Sequence, residues 1–406
     1  MLRSNSFPTP ASHVRRMLLA LAAIGLAVVV QAPGAAAAPS IVVDVRSGKV
    51  LSQEQAFDRW YPASLTKLMT VYTVFREIES GRVSLTSPVR ISQKALAEPP
   101  SKMGFPAGTI LNVDNAIKIV MVKSANDIST ALAESVAGSE AAFVAKMNEH
   151  ARRLGMTDSR FTNAHGLHDT GQYTTARDMA VLAIAIRREF PRYGDYFDIP
   201  AIRVGKQRLS NHNPLLARFD GTTGMKTGFL CASGLNIVVS AKRGLRELIA
   251  VVLGGPTGQE RNVRAARLLS EGFAANPFFV AAKVDTMKPA GAANRQAPDL
   301  RATVCQRKKP AARKNEDSAT TAAFAMQAPS LDELEEKYLK PPRPVARIET
   351  VALGNATGPD PFGLVGAPQS SSASAFAAEE STAPPTLATI GGRQVRIPVP
   401  TPRPVR

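Results

Sequence analysis

The strand-like runs of this chain stand at the two ends of its patterned region, and helical patterns fill the interval between them. Ile41-Val42-Val43-Asp44-Val45 and Lys49-Val50-Leu51, joined by a turn at Arg46-Ser47-Gly48, read as a hairpin near the start. Leu235 to Val239 and Leu248 to Leu253, parted by a turn near Arg243-Gly244, read as strands far downstream. Between them, Leu111 to Val122, Ser129 to Val136 and the spaced Phe143, Met147 and Leu154, closed by Gly155, have the marks of helices. Thr175 with Asp178 resembles a capping box opening a helix that carries Met179, Leu182 and Ile186, and Val263, Ala266, Leu269 and Phe273 pattern a last one. A sheet must then be assembled from distant segments and covered by helices. This predicts an α+β fold, an antiparallel sheet with a helical insertion and a cleft between the two.

Composition sets the limits of that fold. At 406 residues and 44% apolar content the chain can bury one large core or two smaller ones. Residues 1–38 have a basic start, an apolar run from Met17 to Val30 and small residues through Ala38, the layout of a secretory signal peptide. Residues 39–275 are expected to fold, whereas 276–406 turn to Ala, Pro, Ser and Thr and read as a mostly disordered tail. In that tail lie a basic cluster from Arg307 to Lys314 and a short helix candidate at Leu331 to Leu339, but no long apolar face for a C-terminal membrane anchor. The net charge of +17 has no nucleic-acid module beside it, so nucleic acid is not the expected partner. On an exported protein such charge favours an anionic envelope surface.

The chemistry-bearing stretch is Tyr61-Pro-Ala-Ser-Leu-Thr-Lys-Leu-Met-Thr70. Pro62 disfavours helix before it, and Leu65, Leu68 and Met69 recur at helical spacing after it, which puts Ser64 in the first turn of a buried helix. Lys67 then lies on the same face one turn on. A serine hydroxyl needs a base to become a nucleophile, and a buried lysine can be that base. Alone, the pair could equally be a capping serine and a surface lysine. Two further motifs decide between these readings: Ser124-Ala125-Asn126, a polar corner between helices, and Lys226-Thr227-Gly228, placed just before a strand.

The three motifs in this order resemble the penicillin-binding proteins and class A β-lactamases. Within that group the chain is similar to the low-molecular-mass, serine-type D-alanyl-D-alanine carboxypeptidases over about Ser40 to Ala275. Pro62 to Thr70, Met147-Asn148, Leu154-Gly155-Met156, Phe161-Thr162-Asn163 with His165-Gly166-Leu167, Asn211 to Leu216 and Gly224 to Gly228 carry the likeness. It implies a β-lactamase/transpeptidase-like fold and a catalytic domain at 39–275. It also implies an acyl-enzyme on Ser64 with Lys67 as base and Ser124 as proton relay. Asn126, Lys226, Thr227, Gly228 and Phe229 are implied to bind substrate, the N–H groups of Ser64 and Phe229 forming the oxyanion hole. The implied substrates are peptidoglycan stem peptides, with β-lactams as acylating inhibitors and the periplasm or cell envelope as the place of action. A D,D-endopeptidase shares the same motifs. A β-lactamase is disfavoured because no Glu-x-x-Leu-Asn run lies between the second and third motifs, and a catalytically idle wall-binding factor because the motif residues are intact.

No cofactor is expected, and no spacing of His165, His168 or His212 marks a metal site; the first two read as loop histidines without a catalytic task, and the role of His212 stays open. Cys231 and Cys305 are the only cysteines, and in an oxidising compartment they are expected to pair, a buried free thiol being the alternative.

Overall fold

Runs such as Ile41-Val42-Val43 and Ile249 to Leu253 have no polar face, so they are satisfied only in a sheet covered on both sides. A computed structural model describes residues 38–280, 282–289, 291–306, 329–345, 347–363, 387–390 and 393–396, and there these runs are inner strands. The strands β1 (Ser40–Asp44), β2 (Val50–Glu54), β7 (Thr222–Leu230), β8 (Gly234–Arg243) and β9 (Arg246–Gly255) form one sheet in the order β2-β1-β9-β8-β7, every neighbour antiparallel. Val42, Ile237, Val239 and Val252 pack on Val263, Ala266 and Leu269 of the helix α6 (Gly258–Ala274). Ile41, Val43, Val238 and Val251 join the core of the helical side instead. The period of two along each strand thus sorts one sheet between two cores.

On the helical side, α1 (Thr66–Glu79) is buried on all faces from Thr66 to Phe75, its polar line of Thr66, Lys67, Thr70 and Thr73 included. The insertion comprises α2 (Val113–Val122), α3 (Asn126–Ala137) and α4 (Glu140–Arg153). Asn112 and Ser139 cap α2 and α4 through their side chains, and Gly138 closes α3 in the left-handed conformation. The helix expected from Leu111 starts at Val113, because Asn112 takes the cap and Leu111 belongs to a short strand, β4 (Ile110–Asn112), paired with β3 (Pro88–Arg90). For α5 (Ala176–Glu189), Thr175 accepts from the N–H of Asp178 as expected. The Asp178 carboxylate does not reach back; it accepts from Asp158 N–H at 2.9 Å and Ser159 Oγ–H at 2.8 Å, fastening the preceding loop.

Two features were not legible. A hairpin, β5 (Ala201–Val204) and β6 (Gln207–Ser210), is extended by β10 (Glu349–Val351), parallel to β5. The second feature bears on the tail: described segments between 276 and 363 bond to the domain at several points. Arg177 donates to the Val284 carbonyl at 2.9 Å, Leu300 N–H to Ala232 at 3.0 Å, and α7 (Leu331–Tyr338) packs on α6 with Leu339 buried beside it. Composition concealed this because the contacts are backbone bonds, ion pairs such as Arg218 with Glu335 and Arg347 with Asp198, and a few apolar anchors. The apolar run Met17–Val30 and the basic cluster from Arg307 to Lys314 fall outside the described residues.

Candidate active site

Ser64 lies in a 3-10 turn, Ala63–Leu65, one turn ahead of α1 rather than within it. The turn is pinned from the sheet, since Asn236 on β8 donates to the carbonyls of Tyr61 at 3.0 Å and Pro62 at 3.1 Å. β7 passes so close that a Cβ on Gly228 would stand 3.1 Å from the Ser64 nitrogen. The third motif is thus inside an edge strand, not before one, because Lys226-Thr227-Gly228 pairs with β8 throughout.

Lys67 is fully buried. Its Nζ is 3.3 Å from Ser64 Oγ and donates to Asn126 Oδ1 at 2.8 Å and to the His165 carbonyl at 2.5 Å. Burial, and then the like charge of Lys226, hold its pKa well below that of a free lysine, while Asp127 and Glu98 pull the other way. Lys226 is itself lowered to about 7 by burial and by Arg261. A lysine held below its ordinary basicity gives up its own proton more readily and can take the serine's.

Ser124 sits at φ 61, a left-handed conformation uncommon outside glycine, and its buried Oγ has no hydrogen-bond partner. The strain and the orphaned hydroxyl together point it at a bond made only when something else is bound. Asn126 opens α3, and its amide donates to the Pro99 carbonyl at 2.9 Å.

Ser64, Ser124, Asn126, Thr227, Gly228 and Phe229 line one cleft of about 540 Å³, with Lys67 hydrogen-bonded to two of them from below and Lys226 buried in the same strand as the last three. Cys231 and Cys305 are joined as a disulfide, Cα to Cα 5.5 Å, just past the end of β7.

The cleft also holds Arg261, not singled out from sequence, and two of the histidines that were. Arg261, on α6, is buried, and burial lowers it to about 10. Its guanidinium donates only to Asn262 Oδ1, at 3.1 and 2.7 Å, and among the described residues it has no acidic partner. One helical turn after Thr257 it had no motif to mark it. His165 lines the cleft and gives Lys67 its carbonyl, so it is not a bystander of the loop, although no sequence signal marks a backbone acceptor. His212 also lines the cleft with much of its surface exposed, neutral at physiological pH because desolvation of its ring and then Lys226 lower it to about 4. His168 stacks edge-on against Tyr61. Among the described residues no three His, Cys, Asp or Glu side chains are grouped to hold a metal.

Sheet, insertion and cleft define a penicillin-binding-protein fold. Penicillin-binding protein 5 of Haemophilus influenzae superposes with a TM-score of 0.56 at 35% identity, over 60% of this chain and 73% of that one. Penicillin-binding protein D2 of Listeria monocytogenes, in its cefotaxime-bound form, superposes at 0.54 with 26% identity over 59% of this chain and 97% of its own. The family model for D-alanyl-D-alanine carboxypeptidases matches residues 27–257, and the chain belongs to that family. The D-alanyl-D-alanine carboxypeptidase DacC of Escherichia coli K12 is 38% identical over 60% of this chain and 63% of its own. The chain spans about three fifths of the length of the first curated relatives it matches.

Proposed function

We propose that this chain is a serine hydrolase that removes the terminal D-alanine from peptidoglycan stem pentapeptides through an acyl-enzyme on Ser64, with 39–275 as its catalytic domain. The observation that carries the reading is the buried Lys67 Nζ, 3.3 Å from Ser64 Oγ and kept short of its normal basicity by burial and Lys226. Lys67 takes the hydroxyl proton as Oγ attacks the carbonyl between the two D-alanines. The N–H groups of Ser64 and Phe229 hold the oxyanion, a kind of donor whose loss generally costs about 10²–10³ in rate. The C–N bond breaks, Ser124 passes a proton to the departing amine, and water then hydrolyses the ester and restores Ser64. Asn126 holds the substrate amide. Lys226, Thr227 and Arg261, whose charge no described acid pairs, receive the terminal carboxylate, the anion that separates a carboxypeptidase substrate from an internal peptide bond. β-Lactams enter by the same attack, and the missing Glu-x-x-Leu-Asn run leaves the resulting ester long-lived. The work is done outside the cytoplasm, in the periplasm or envelope; among the described residues no helix is long and apolar enough to cross a membrane.

The test is D-alanine release from a pentapeptide muropeptide and from a crosslinked dimer, by the full chain and by Ser64→Ala. Release from the pentapeptide that the variant loses is the expected result. Cleavage of the dimer alone makes the protein an endopeptidase, and no Ser64-dependent cleavage of either overturns the hydrolase reading.

A further inference from the structure

The chemistry above uses Lys67 and leaves unexplained two buried acids behind it. The side chains of Glu98 and Glu140 are only 11% and 10% exposed, and that of His165 is 8% exposed. His165 Nε2 lies 3.5 Å from Glu98 Oε2 and 3.7 Å from Glu140 Oε1. The other ring nitrogen, Nδ1, accepts from the N–H of Leu167 at 3.1 Å, so the ring proton sits on Nε2 and faces both carboxylates. Each acid is fixed in turn. Glu140 pairs with Lys94 at 2.6 Å and accepts from Ala164 N–H at 3.1 Å, whereas Glu98 accepts from Thr130 Oγ–H at 3.0 Å. The same His165 supplies the carbonyl on Lys67 Nζ, and the residue after Glu98, Pro99, supplies the carbonyl on the Asn126 amide.

A carboxylate that only braced a loop has no reason to be taken from water without a cation of its own, since an unpaired buried charge is costly. Glu140 has Lys94. Among the described residues Glu98 has no cation within ion-pair distance, the basic side chain beside it being the neutral His165, and burial pushes its carboxyl above the usual range. His165 is lowered to about 4, by burial first and then by Lys67, so it does not supply the missing charge at neutral pH. The cation that Glu98 does influence is Lys67, whose charged form it favours. Three groups besides Glu98 act on that lysine: Lys226 from β7, Asp127 from α3 and the His165 loop. Asp127 is committed elsewhere, accepting from the N–H groups of Met103 at 2.9 Å and Gly104 at 2.9 Å.

We infer that Glu98 and Glu140 are positioning residues for acylation, holding the His165 ring at Nε2 so that its carbonyl stays on Lys67, with Glu98 also serving as a counter-charge to Lys226. The inference rests on the reading of Ser64 and Lys67 given above. Its two parts separate by substitution. Removing the charge of Glu98 makes the Lys67 ammonium less favourable, so the lysine loses its proton at lower pH. Removing the charge of Glu140 loosens the grip with little effect on the Lys67 proton, which burial, Lys226, Asp127 and Glu98 govern.

The experiment is the second-order rate of acylation by a fluorescent penicillin from pH 4.5 to 9, on the full chain, with thermal midpoints recorded for each variant. Glu98→Gln is expected to move the acid limb down by about 0.5–1 unit, less than the 1–3 units typical of an opposite charge in direct contact. Glu98→Asp, which restores the charge, should keep the limb where it is in the parent. Glu140→Gln should lower the rate about 3–10-fold at every pH with the limb unmoved. A limb that stays put or rises in Glu98→Gln overturns the inference, as does an equal limb shift in Glu140→Gln. Absence of Ser64-dependent acylation in the parent chain overturns this inference and the proposed function together, whereas a normal parent profile with an unmoved Glu98→Gln limb overturns this inference alone.

Discussion

Asn236 and Pro62, 174 positions apart, are joined by a 3.1 Å hydrogen bond that ties β8 to the turn bearing Ser64. The same amide donates to Tyr61, while its oxygen accepts from the N–H of Gly254 at 2.9 Å. Asn236→Ala therefore strips partners from buried backbone groups in two segments. Each such group costs about 1–3 kcal/mol, so unfolding stability should fall by about 2–4 kcal/mol. Acylation should fall further than stability explains, because the lost bonds aim the nucleophile. Denaturant titration and penicillin labelling of the same preparation check both halves.

Gly166 has a sharper constraint. It is at φ +90, and a Cβ there would lie 2.0 Å from the Ala63 carbonyl oxygen, next to Ser64. Backbone cannot give way as a side-chain tip can, so Gly166→Ala should cost at least about 3 kcal/mol or displace the loop that carries His165. Either outcome predicts loss of acylation. A variant of unchanged midpoint and unchanged labelling would refute the close approach.

These two positions show what could and could not be read from sequence. β1, β8 and β9 announced themselves through apolar runs without a polar face, and Ser64, Lys67, Ser124 and Lys226 through spacing, because the chemistry fixes both residue type and separation. Asn236, Arg261 and the acids around His165 carry no such mark. Their roles arise from side chains reaching across the fold, and in isolation each looks like an ordinary strand or helix residue. The β5–β6 hairpin and the packed tail were hidden differently: short strands around Gly205-Lys206, and backbone contacts made by a Pro- and Ala-rich segment, leave little hydrophobic periodicity to detect.

Lys226 links the site to stability. Its folded pKa is about 7, below the roughly 10.4 of a free lysine. Between those values the unfolded chain binds the proton and the folded chain does not, so stability rises with pH there, by up to about 1.4 kcal/mol per unit. Below pH 7 the effect is constant. Lys67 is shifted in the same direction and adds to the slope. Chemical denaturation at pH 7, 8 and 9 should give increasing midpoints, and Lys226→Met should flatten the rise. An equal slope in the variant would place the linkage elsewhere.

The disulfide closes a sequence separation of 74 residues, and a loop of that length restrains the unfolded chain by about 4 kcal/mol in the chain-entropy account. Cys305→Ser should lower stability by an amount of that order. The effect on catalysis should be smaller, since Leu300 still bonds the Ala232 carbonyl and Arg295 still pairs with Asp158. Thermal scans with and without reductant, set beside D-alanine release, measure the two separately.

Arg261 gives the most selective prediction, because its charge has no partner of its own. A guanidinium buried at a cleft wall, bonded only to a neutral amide, is ready for a carboxylate that arrives from outside. Arg261→Gln should lower kcat/KM for a peptide ending in D-Ala-D-Ala by about 10–100-fold, the value of a hydrogen bond to a charged group. A peptide whose terminal carboxylate is amidated has nothing for Arg261 to hold, and its slow turnover should be unchanged. One secondary effect must be separated. Arg261 helps to depress Lys226, so its removal lets Lys226 hold a proton to higher pH and partly restores positive charge to the cleft. That compensation matters only above about pH 7, where Lys226 is otherwise neutral. The loss should therefore be larger at pH 6 than at pH 8.5, whereas a residue that merely supported the fold would lose both substrates alike at both pH values.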